Sequence, residues 1–89
     1  MNGAVPDGTP GAPGDPPTNW ERYVFSGPTQ QFTIRNTGGA GTLWLSFDRG
    51  ANWFQIANAT GFDMEGICRE FWAWGEGAGV TFESVATLA

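Results

Sequence analysis

Residues 30–36, QQFTIRN, and residues 42–48, TLWLSFD, flank the run Thr37-Gly38-Gly39-Ala40-Gly41. In the first segment Phe32 and Ile34 fall on one side, with Gln31, Thr33 and Arg35 on the other. In the second, Leu43, Leu45 and Phe47 oppose Thr42, Trp44 and Ser46. Successive side chains of a strand point to opposite faces, so a period of two marks a strand with one face buried. The glycine-rich run between the two segments reads as a loop.

The same grammar extends in both directions. Residues 21–26 place Tyr23 and Phe25 on one face, and Gly27-Pro28 then signals a turn. Asp48-Arg49-Gly50-Ala51-Asn52 has the make-up of a hairpin connection, with Gly50 available for a positive φ. Residues 53–57 read as a return strand with Phe54 and Ile56 inward, and the connection 58–66 holds a short strand around Phe62 and Met64. Residues 67–74, ICREFWAW, put Ile67, Phe71 and Ala73 on one face and Cys68, Trp72 and Trp74 on the other. A flexible turn at 75–79 precedes the last strand, residues 80–88, where Val80 and Phe82 point inward. The aromatics, Ile, Cys and nearby glycines of residues 63–74 disfavour helix there. Short strands at about ten-residue spacing predict an all-β fold, a small antiparallel β-sandwich or barrel of about six to seven strands.

Five of the six prolines (Pro6, Pro10, Pro13, Pro16 and Pro17) precede this pattern. Residues 1–19 contain one Val and no aromatic, too little apolar area to offset the entropy of ordering them. Three successive Gly-X-Pro triplets cover residues 8–16, and the fixed φ of proline predicts an extended, polyproline-like course. The chain therefore divides into an extended Pro/Gly-rich arm, residues 1–19, and a β-sandwich domain, residues 20–89. A domain of about 70 residues is near the lower limit for a lone core, which points to support from an assembly.

Composition excludes several chemistries. The 89 residues include no His, no Lys and one Cys, and four Arg face nine Asp and Glu for a net charge of −5. A His-based triad, a P-loop lysine, a Schiff base, a Cys/His zinc site and an internal disulfide are all excluded within one chain. Phosphate backbones are bound by clustered Lys and Arg, whereas Arg22, Arg35, Arg49 and Arg69 are dispersed, so no nucleic-acid partner is expected. No apolar run approaches the length of a membrane span, and residues 1–19 lack the basic start and apolar run of a signal peptide. Asp48, Asp63 and Glu65 read as turn and surface acids rather than a catalytic pair, so no catalytic residue, metal or cofactor is expected.

Five tryptophans are many for so short a chain. Trp44, Trp72 and Trp74 sit opposite the main aliphatic set, which makes them an interface, a sugar-stacking platform, or one half of a two-sided core. Trp20, at the junction, reads as an anchor that fixes the direction of the arm. The candidate partner-binding residues are therefore Val5, Pro6, Pro10, Pro13, Pro16 and Pro17 of the arm, with Trp20, Trp44, Trp72 and Trp74 of the domain.

The stretch Ile34-Arg35-Asn36-Thr37-Gly38-Gly39, followed by Leu43-Trp44-Leu45-Ser46-Phe47-Asp48-Arg49-Gly50, resembles small virion proteins of tailed bacteriophages. The resemblance spans about residues 30–88 and lies in a hairpin grammar. It implies a non-enzymatic β-sandwich that decorates and stabilises a capsid, assembled in the host cytoplasm, with capsid or other virion proteins as partners. It implies also a homo-oligomer, a trimer by preference, and an arm laid on a neighbouring subunit. The tryptophan density exceeds that pattern, which keeps a carbohydrate- or receptor-binding module, or a tail or neck adaptor, as alternatives.

Overall fold

A computed structural model describes residues 2–9, 19–38, 41–77 and 79–88. These residues form nine strands and no helix: β1 Asn2–Ala4, β2 Asp7–Gly8, β3 Glu21–Val24, β4 Thr29–Asn36, β5 Thr42–Ser46, β6 Phe54–Ile56, β7 Gly61–Glu65, β8 Glu70–Glu76 and β9 Thr81–Leu88. The all-β, sandwich-like architecture expected from the alternation is present. One sheet has the order β1-β9-β4-β7; the other runs β2-β8-β5-β6, with β3 also on β8.

The core lies between the sheets. Phe32 and Ile34 of β4, Leu43 and Leu45 of β5, Ile56, Phe71, Ala73, Val80 and Phe82 are buried together. Phe71 is at the centre of the aromatic packing, with its ring 5.0 Å from Tyr23, 5.4 Å from Phe32 and 5.8 Å from Phe82. Each such side chain removed from water contributes about 1.5–3 kcal/mol before entropy is counted. Two inward expectations fail at the periphery. Ile67 is 77% exposed and Phe54 49% exposed. Ile67 lies in the crossover between β7 and β8, after Gly66 (φ +129°), where the chain has left the alternating ladder. Phe54 is on β6, an outermost strand, flanked by the rings of Phe47 and Phe62.

The largest departure concerns the arm. Residues 2–8 are not a separate extension: β1 pairs antiparallel with β9, and β2 pairs parallel with β8. Between them Val5 N–H donates to the Val80 carbonyl (3.2 Å) and the Pro6 carbonyl accepts from Gly75 N–H (2.8 Å). The segment thus crosses from one sheet to the other alongside the β8–β9 turn, tying both layers at one corner. Composition missed this because the gain comes from backbone hydrogen bonds to existing edges, not from buried side-chain area. It also raises the strand count to nine and makes the pairing mixed rather than wholly antiparallel. Gly75 is the packing hinge of that corner. A Cβ there would lie 2.7 Å from Val80 Cβ and 2.9 Å from Val5 Cγ2, so only glycine fits.

Candidate functional site

The two outer faces differ in chemistry. Outward positions of β4, β7 and β9 are Gln31, Thr33, Arg35, Asp63, Glu65, Glu83, Val85 and Thr87, nearly all polar, and Thr33 Oγ1 donates to Asp63 Oδ1 at 2.8 Å. The outer face of the five-stranded sheet is aromatic. Its register sets Trp44 beside Trp74 and Ser46 beside Trp72, with Arg22 beyond Trp72 on β3.

Trp44 and Trp74 stack in parallel, with ring centroids 5.2 Å apart and planes 4° from one another. Trp53 meets Trp74 edge-on at 6.4 Å, and Trp20 lies 6.5 Å from Trp53. The four rings form a continuous row. Burial is greatest at Trp74, 1% exposed, and falls to both sides: Trp44 and Trp53 are half-buried, and Trp20 beyond Trp53 is 46% exposed. Trp72, beside the row, is 9% exposed. The two-sided core therefore accounts for Trp72 and Trp74, because β8 is central in its sheet and covered on both faces. Trp20 alone of the expected contact tryptophans presents a large open surface.

Two parallel indoles at 5.2 Å overlap; rings set side by side in one plane could not come so close. Trp44 and Trp74 thus stand on the sheet like adjacent pages and present edges outward. This geometry does not make the flat, multi-ring platform that stacks on a sugar chain.

The polar groups of the row are unequally served. Trp44 Nε1 donates to Glu76 Oε1 at 3.1 Å. Trp53 Nε1 and Trp74 Nε1 are buried and have no hydrogen-bond acceptor among the described residues. A buried N–H left unpaired costs about 1–3 kcal/mol. The rim carries the ion pair between Arg22 and Glu70, in which Arg22 Nε also donates to Glu70 Oε2 at 2.8 Å.

Trp53 was not among the residues singled out from the sequence. It reaches the row because the β5–β6 loop is rigidly built. Ser46 Oγ donates to Asp48 Oδ1 (2.8 Å) and accepts from Gly50 N–H (2.8 Å). Asp48 accepts from Asn52 N–H at 2.9 Å and from Asn52 Nδ2 at 2.6 Å. Arg49 and Gly50 both adopt positive φ, at 61° and 87°. The Asn52 side chain above all, then its backbone N–H and the Ser46 hydroxyl, hold the Asp48 carboxyl down at about 2. The signal was present as Asp48-Arg49-Gly50-Ala51-Asn52, whose side-chain caps launch the residue that follows.

The remaining expected contact residues separate. Val5 packs against the core and Pro6 is half-buried at the sheet-crossing corner. Pro10, Pro13, Pro16 and Pro17 lie outside the described residues. The flanks of that stretch are joined, since Asn19 Nδ2 donates to the Asp7 carbonyl at 2.7 Å. Among the described residues no group of three His, Cys, Asp or Glu side chains is placed to hold a metal ion. Cys68 is buried, donates through Sγ to the Glu70 carbonyl (3.1 Å), and has its thiol pushed up by burial. No helix among the described residues is long and apolar enough to cross a membrane.

Comparison with known proteins gives no match to a family model, to a curated protein or to a solved structure.

Proposed function

We propose that this protein is a non-enzymatic structural component of a tailed-phage virion, a decoration-type protein that docks through the aromatic outer face of its five-stranded sheet. The observation that carries the reading is the tryptophan row, which continues interior-like packing outside the sandwich and ends at exposed Trp20. Aromatic residues are enriched at the centres of protein interfaces, where they bury large area at low entropic cost. The polar outer face of the other sheet suits the solvent side of a docked domain.

The kind of partner is argued from the resemblance of about residues 30–88. The residues that carry it have structural duties: Asn36 bonds the Gly41 and Ile56 carbonyls, and Ser46, Asp48 and Gly50 build the loop beneath Trp53. In this reading the Pro/Gly-rich stretch touches a neighbouring shell subunit from the corner where Asp7 and Asn19 meet.

The test uses particles that lack the protein, mixed with the purified chain and sedimented. Wild type co-sediments to a saturable number of copies per shell. Trp20→Ser with Trp44→Ser keeps the far-ultraviolet β spectrum and binds about tenfold more weakly or worse. Binding confined to one vertex or to the tail, seen by electron microscopy of the sedimented particles, marks a tail or neck adaptor. Failure to co-sediment, together with tryptophan quenching by polysaccharide, assigns the carbohydrate-binding alternative instead.

A further inference from the structure

The second surface of interest is the outer edge of β9. β1 pairs only with Thr81–Glu83, so among the described residues no strand covers the edge from Val85 to Leu88. Three of the six exposed large hydrophobics gather there: Val24 (52%), Val85 (72%) and Leu88 (48%). A groove of about 240 Å³ runs beside the edge, lined by Val24, Phe25, Ser26, Ser84, Ala86 and Leu88. The segment from Val85 to Leu88 has no proline and no charged side chain, two of the usual guards against strand addition, and the ladder irregularity beside it lies on β4 between Thr29 and Gln31.

The hydrogen-bond register shows which groups are available. Asn36 N–H donates to the Thr60 carbonyl and the Gln30 carbonyl accepts from Gly66 N–H, so even-numbered residues of β4 bond toward β7. Odd-numbered residues bond toward β9, as Thr37 N–H does to the Thr81 carbonyl. In that register Glu83, Val85 and Thr87 bond inward to β4. The backbone groups of Ala86 and Leu88 therefore point out along the uncovered edge.

We propose that this edge is a self-association site, at which β9 of a second copy adds antiparallel across a two-fold axis through Thr87. Ala86 then exchanges both backbone hydrogen bonds with Leu88 of the second copy, and Leu88 with its Ala86. This register uses the outward groups and keeps inward side chains inward. Leu88 of each copy enters the groove beside Val24 and Phe25 of the other, and the two Thr87 side chains meet on the outer face. The occupant is a second copy because of charge as well as register. The chain carries −5, and two copies meet without like-charge cost only along an uncharged strip. Residues 84–88 and the groove wall at residues 24–26 contain no charged side chain.

Disulfide trapping tests the register. In a non-hydrogen-bonded pair on the axis, Thr87→Cys brings two Cα atoms about 4.5 Å apart, inside the range a disulfide spans. Two Val85→Cys residues would be about 13 Å apart along the strands, from a rise of about 3.3 Å per residue. With oxidised glutathione as oxidant, Thr87→Cys should convert mostly to a covalent dimer and Val85→Cys should not. Light scattering on wild type should show the mass rising toward twofold with concentration. Ala86→Pro removes an outward N–H while sparing the β4 ladder, and should hold the mass at that of the monomer. Equal trapping of both cysteine variants, a threefold mass, or a monomer for wild type at millimolar concentration would each overturn the proposal.

Discussion

Asn36 is wholly buried, and its side chain donates to the Gly41 carbonyl at 3.0 Å and to the Ile56 carbonyl at 3.1 Å. One amide thereby joins the end of β4, the loop before β5 and the end of β6, in two different sheets. Asn36→Ala would leave those carbonyls without this donor, at a cost of about 2–3 kcal/mol. In a domain of this size the melting midpoint should then fall by about 10 °C or more, measurable by calorimetry. Asp48 governs the loop that carries Trp53. Its folded-state value of about 2 lies below the ordinary 3.8, so its bonds to Asn52 and Ser46 stabilise fully above about pH 4. That contribution is lost as the pH falls from about 4 toward 2. Trp53 emission should hold steady down to pH 4 and change between pH 4 and 2. In Asp48→Asn that acid transition should be absent from the loop signal.

At the scale of elements, the first strands matter more than their composition suggests. Removing residues 1–8 exposes the edges of β8 and β9 and uncovers Gly75 and Phe82. The expected result is a clear loss of thermal stability, whereas a detachable arm would leave the midpoint unchanged. Gly75→Ala should damage the same corner by about 1–3 kcal/mol through overpacking against Val80 and Val5. These strands also show where the sequence was legible. The alternation around Phe32, Ile34, Leu43 and Leu45 placed β4 and β5 and their inward residues correctly, because one face of each is buried and the other is not. Alternation could not say that Trp74 is buried on the second face, since a central strand covered on both sides loses the contrast that the pattern encodes. It could not see β1 or β2, whose order comes from ladder bonds with partners more than sixty residues away. Trp53 lay just beyond the loop motif, and only the caps of Asp48 and Ser46 turn it onto the row.

The whole molecule is a small acidic sandwich with one polar and one aromatic outer face. A chain this short has a limited core, and its tryptophan row adds a second apolar layer that ends in the open at Trp20. Two indole donors buried in that layer have no acceptor among the described residues, a cost carried inside the layer. Docking by that face and self-association by the β9 edge use different surfaces and are separable by mutation. The most direct measurement is a quantitative peptide census of particles purified from cells that express the protein. The result expected here is that the protein stays with the particles through gradient purification at a fixed ratio to the shell protein. Recovery of the protein only in the particle-free fraction would contradict a virion role.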